Sequence, residues 1–137
     1  MAGYSHTPLV KKLGIKEGMA VLFMNAPRGF ATELGKMPRG VTRAAGLKEN
    51  LPYIHYFAEW KRELRAIFPI LKKSLAKDGM LWISWHKHHH EDGCAENDLN
   101  ENVIRKIGLD AGLVDVKVCA VDEHWSGLKF VWRKKDR

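Results

Sequence analysis

Apolar residues run unbroken from 19 to 24 (Met19-Ala20-Val21-Leu22-Phe23-Met24), which predicts a strand covered on both faces. Asn25-Ala26-Pro27-Arg28-Gly29 stops it, and Phe30-Ala31-Thr32-Glu33-Leu34 starts a short helix. Residues 35–50 are rich in Gly, Pro and charge and read as loop, with a minor strand at Val41-Thr42. Tyr53-Ile54-His55-Tyr56-Phe57, aromatic and β-branched, predicts a second buried strand. Leu64, Ile67, Phe68, Leu71 and Leu75 then recur at helical spacing, with Pro69 expected to kink that helix and Lys77-Asp78-Gly79 to close it.

Met80-Leu81-Trp82-Ile83-Ser84-Trp85 is a third apolar strand, followed by a polar loop over 86–97. Asp98 or Asn100 caps a helix that runs to about Ala111 and ends at Gly112. Val114, Val116, Val118 and Ala120 alternate with polar positions, 122–127 is turn-like with Trp125 and Ser126 in the turn, and 128–132 returns as the partner strand of a hairpin. Strands separated by helices predict an α/β fold. It is a three-layer, Rossmann-like arrangement in one domain over 1–137, with a mostly parallel sheet and a C-terminal antiparallel hairpin. In such sheets ligands lie beyond the carboxyl ends of the strands, so the loops at 25–30 and 86–97 should share one rim.

The whole pattern resembles a family of small bacterial proteins described only as a domain of unknown function, Rossmann-like and distantly similar to class I methyltransferases. The residues that carry the resemblance are Gly3-Tyr4-Ser5 with Thr7-Pro8-Leu9, Lys12-Leu13-Gly14-Ile15, Asn25-Ala26-Pro27 with Gly29-Phe30, Leu81-Trp82-Ile83-Ser84-Trp85, and the closing 112–118 and 125–129 segments. The resemblance implies the fold and leaves the activity open. The histidine-rich loop departs from it.

An S-adenosylmethionine site calls for glycines after the first strand and a carboxylate after the second. Here the first loop offers Gly29 beside Pro27 and Arg28, and Val41 to Arg43 offers bases rather than an acid. The expectation is therefore a non-enzymatic protein without S-adenosylmethionine, binding a small ligand or a protein partner at the rim through Asn25, Arg28, Gly29 and Trp85. A methyltransferase with an altered cofactor site is the first alternative. The second is a metal-binding protein: His86, His88, His90 and Cys94 have the chemistry for zinc or another transition metal, although their loop spacing lacks the pairing of a fixed site.

The chain of 137 residues is 45% hydrophobic and carries a net charge of +7, concentrated in 61–77 and in the tail. Without exposed aromatics or a reading helix beside those bases, nucleic acid is not the expected partner. The absence of a membrane-length apolar run and of an N-terminal secretion signal, with only Cys94 and Cys119 and no CxxC, leads us to expect a cytoplasmic protein. Ser5, Thr7, His55 and His124 show no triad partner in the sequence and are not expected to act as nucleophile or base.

Overall fold

A computed structural model describes residues 7–87 and 99–137. In chain order the elements are α1 (Leu9–Lys12), β1 (Ala20–Met24), α2 (Phe30–Leu34), β2 (Thr42–Arg43), β3 (Leu51–Phe57), α3 (Lys61–Ser74), β4 (Leu75–His86), α4 (Glu101–Asp110), β5 (Leu113–Ala120) and β6 (Trp125–Trp132), with a final 3-10 turn at Lys134–Asp136. One six-stranded sheet has the order β2-β1-β3-β4-β6-β5. Strands β2, β1, β3 and β4 pair in parallel, whereas β6 runs antiparallel to both β4 and β5. This is the predicted α/β architecture, hairpin included.

The sheet is covered on both sides because its central strands are apolar on both sides. Leu22, Ile54, Leu81, Ile83, Trp85, Leu128 and Phe130 pack against Leu64, Phe68 and Leu71 of α3 and Ile104 and Ile107 of α4. On the opposite face Val21, Tyr53, Phe57, Trp82 and Trp125 meet Leu13, Ile15, Phe30 and Leu34, around the short helices α1 and α2. Trp82 and Trp85 thus lie on opposite faces, as their spacing requires. The Trp82 indole N–H donates to the Leu13 carbonyl at 2.9 Å, which ties the chain after α1 to the middle of the sheet.

Local signals hold at α4, where the Asn100 side chain accepts from the Val103 N–H at 2.9 Å. Elsewhere tertiary pairing moves the boundaries. Helix α3 ends at Ser74 with Pro69 inside it, and residues 77–79 are not a helix stop but part of β4, at a register irregularity against β3 between the pairs Leu51/Leu75 and Tyr53/Met80. Trp125 and Ser126 are not turn residues either. They open β6 opposite His86 and Trp85, and Trp125 is buried. The valine alternation of β5 points outward: Val116 and Val118 are 54% and 46% exposed while Cys119 is buried, because β5 is an edge strand that shifts register between Asp115 and Lys117.

Gly108 sits where α4 crosses β6, and a Cβ built there would lie 2.0 Å from Phe130 Cε1. Alanine in a helix ordinarily stabilises by about 0.5–1 kcal/mol over glycine, but overpacking a core costs about 1–3 kcal/mol. The clash wins, so Gly108→Ala should lower stability in urea denaturation; an unchanged or raised midpoint would show that α4 stands further from the sheet.

Candidate functional site

The chain leaves β1 toward β2 on one side and later returns to β3 on the other, so the sheet reverses its winding between β1 and β3. Open α/β sheets bind ligands at the carboxyl ends of strands at such a point. There the structure has a groove of about 400 Å³ lined by Met24, Asn25, Tyr56, Glu63, Ala66, Ile67 and Ile70. Its floor is the end of β1 and β3, and its wall is the first half of α3. Asn25 adopts the left-handed conformation (φ 59°), which asparagine tolerates better than most residues and which ends β1 abruptly.

The polar side of the groove is acidic. Burial and the Glu63 and Glu59 carboxylates push the Tyr56 phenol above its ordinary pKa, while the Asn25 side chain, hydrogen-bonded to it, pulls the other way. Tyr56 is therefore a neutral phenol at the groove floor, able to donate and to accept. Just beyond β3, Glu59 Oε1 lies 4.0 Å from His86 Nε2, and the His86 ring packs on Trp125 with centroids 4.0 Å apart. The apolar side includes Ile70, 53% exposed. The arrangement can receive a ligand with positive charge and hydroxyl groups at one end and an apolar face at the other.

Of the residues singled out in the sequence, Asn25 reaches this groove, whereas Arg28 and Gly29 are exposed on the loop beyond it. Gly29, at φ 92°, precedes α2 and has open space where a Cβ would stand. Trp85 is buried in the core on the α3/α4 side. His86 stands at the rim beside Glu59; His88, His90 and Cys94 lie outside the described residues. Among the described residues no group of three His, Cys, Asp or Glu side chains gathers in a way that could hold a metal ion; the metal-binding alternative rests on residues that lie mostly outside them. At the end of β2, where a carboxylate was sought, the Arg43 guanidinium lies 5.1 Å from the Phe23 ring centroid.

Sequence reasoning missed Tyr56, Glu59 and Glu63. The available signal was Glu59, two residues after a strongly apolar strand. It also missed a buried polar chain on the other face. His55 Nε2 and Ser84 Oγ are 2.6 Å apart, and the Tyr53 hydroxyl is 3.1 Å from His55 Nδ1. A serine beside a histidine has the reach of a nucleophile and its base. All three residues are fully buried, however, with the imidazole stacked on Phe57 at 4.3 Å and edged by Phe30. The chain satisfies buried polar atoms; it does not meet substrate. Gly127 makes room for it, since a Cβ there would stand 3.1 Å from Ser84 Oγ.

No family model matches the chain, and no curated protein matches it in sequence. Solved structures do match. A SAM dependent methyltransferase from Aquifex aeolicus has a TM-score of 0.64 at 19% identity over 89% of this chain and 86% of its own. The N-methyltransferase NodS from Bradyrhizobium japonicum has 0.58 at 17% identity over 88% and 90%. Magnesium protoporphyrin IX methyltransferase from Synechocystis, with bound SAH, has 0.54 at 13% over 91% and 78%. At these identities the likeness shows a shared fold, that of class I methyltransferases. It also corrects the leading expectation of a non-enzymatic protein with S-adenosylmethionine not the expected ligand, in favour of the methyltransferase alternative, because fold mates over nearly the whole chain include methyltransferases, some with SAM or SAH bound. A carboxylate after the second strand is only one place for an acid at the rim of such a sheet; here Glu59 follows β3 and Glu63 stands on α3.

Burial lowers the pKa of His55 from 6.5 to about 3, so the folded protein holds the imidazole neutral. Between those values the unfolded chain binds one more proton than the native one, and stability rises with pH across that window and is lost as pH falls through it. Denaturant titrations from pH 7 to pH 4 should show the folded-to-unfolded ratio dropping about tenfold per pH unit below 6.5 from this residue, and His55→Gln should remove that component. An identical pH slope in the variant would mean that His55 is not the group concerned.

Proposed function

We propose that this protein is an S-adenosylmethionine-dependent methyltransferase whose cofactor binds at the carboxyl ends of β1 and β3, against α3. The observation that carries this reading is the groove at the switch point of a sheet with the methyltransferase fold, with an acidic side at Glu63 and Glu59 and an apolar side at Ile67 and Ile70. When bound, the cofactor supplies a methyl group on a positively charged sulfur, which leaves as a neutral thioether once the methyl passes to a nucleophile.

The residues present fit such a group in charge and size. Glu63 and Glu59 offer negative potential to a sulfonium and an ammonium, Asn25 and Tyr56 offer hydrogen bonds to hydroxyls, and a groove of about 400 Å³ falls in the range of small-molecule sites. Arg28, exposed on the neighbouring loop, is the group that would meet a carboxylate. Without glycines to bring the β1 loop close, this chain relies on the α3 wall for contact area. A place in the small bacterial family that its pattern resembles, and a cytoplasmic setting, belong to the same proposal; the free, buried thiol of Cys119 is in keeping with a reducing compartment.

Calorimetry with S-adenosylmethionine and with S-adenosylhomocysteine tests the reading. Saturable binding of both is expected, weakened about tenfold or more by Glu63→Gln and by Asn25→Ala, each a loss of about 1.4 kcal/mol or more. Folded protein that shows no saturable binding of either compound would overturn it.

A further inference from the structure

On the face opposite α3, α1 and strand β5 border an open concavity of about 410 Å³ lined by Lys11, Lys12, Lys117, Thr7 and Cys119, among others. Lys129 stands directly across the antiparallel ladder from Lys117. Like charges in direct cross-strand register are destabilising, and here the repulsion is compounded: burial first, then Lys117 and Lys16, lowers the pKa of Lys129. Lys117 Nζ reaches across to the Lys12 carbonyl at 3.2 Å, which fixes its ammonium at the mouth of the concavity. Lys87, just past the rim, is near enough to act on Cys119.

Among the described residues, none of these ammonium groups pairs with a carboxylate, and no carboxylate lines the concavity. The bases of the sequence-evident runs are used differently. Lys72 and Lys77 donate to the carbonyls of Ala111 and Asp136 and lie 5.0 and 3.7 Å from the Trp132 ring centroid, so that Lys72 ties the end of α4, and Lys77 the tail, to the end of β6. A group of uncompensated lysines drawn from separate elements lowers stability unless an anion joins it. Compact, rotatable ammonium groups suit the several oxygens of a phosphate.

We propose that the lysine-lined concavity between α1 and β5 is a binding site for phosphate groups, centred on Lys117 and Lys12, with Lys129 beside Lys117 across the ladder adding to its positive field. The shared chemistry is the phosphate oxyanion, carried either by a small polyphosphorylated compound or by the diester backbone of a nucleic acid. The site lies apart from the groove at β1 and β3 and stands whether or not methyl transfer is confirmed.

The test is titration of the intact protein at physiological ionic strength with two probes, inorganic pyrophosphate and a short single-stranded oligonucleotide without terminal phosphates, read by calorimetry and by melting temperature. Saturable binding of at least one probe is expected, weakened about tenfold or more by Lys117→Ala, with Lys73→Ala on exposed α3 as an unaffected control. Lys129→Met should raise the melting temperature without ligand, by removing a like charge, and abolish the rise that the ligand produces. Pyrophosphate alone binding assigns a small phosphorylated ligand, and the oligonucleotide binding assigns a nucleic-acid backbone. Binding by neither, or equal weakening by Lys73→Ala and Lys117→Ala, would overturn the site.

Discussion

Strand β3 lies between β1 and β4 with Leu51, Tyr53, Ile54, His55, Tyr56 and Phe57 all buried. A strand in that position has no face to give to water, so each polar atom it carries needs a partner inside the protein. On the α1/α2 side the Tyr53 hydroxyl meets His55, and His55 meets Ser84 across the sheet. Tyr56, which points the other way, finds its partner in Asn25 at the end of β1. A neutral imidazole has one donor and one acceptor nitrogen, so one neighbour of His55 gives a proton to the ring and the other receives one. The result is a polar chain that ties β3 to β4 beneath a layer of aromatic rings.

The same constraint builds the rim. Because Tyr56 is the last residue of β3 facing α3, its hydroxyl emerges where β1, β3 and α3 meet, and Glu59 and Glu63, on the loop and helix that follow, surround it with negative charge. Asn25 serves both ends of this arrangement, turning the chain out of β1 with a positive φ and contacting the phenol with its side chain. Field and shape at this corner both suit the cation-bearing cofactor proposed for it. The opposite corner of the molecule has the reverse polarity, with lysines from α1, β5 and β6 crowded on the far face of the hairpin.

Much of the scaffold was legible in the residues. Unbroken apolar runs marked β1, β3 and β4, helical spacing marked α3, and Asn100 and Gly112 bracketed α4. What failed were inferences that treated local chemistry as sufficient. The alternation of valines marked β5 as a strand without saying which face is covered; at a sheet edge with a register shift, Val116 and Val118 turn to solvent and Cys119 inward. Lys77-Asp78-Gly79 has the composition of a helix stop, and pairing with β3 draws it into a strand instead. Trp125 looked like a turn residue until β4 supplied the strand that buries it.

The sequence by itself determined the class of fold and the order of most of its elements, because those follow from hydrophobic periodicity and from loops that a chain cannot bury. Only the tertiary structure decided which side chains meet. His55 and Ser84 are separated by twenty-nine positions and touch because β3 and β4 are parallel neighbours. Glu63 faces Tyr56 because α3 packs back across its own strand. Lys12, Lys117 and Lys129, scattered among the chain's many bases, become one cationic surface only when the hairpin folds against α1. Such coincidences depend on strand order and register, which composition and local spacing do not encode.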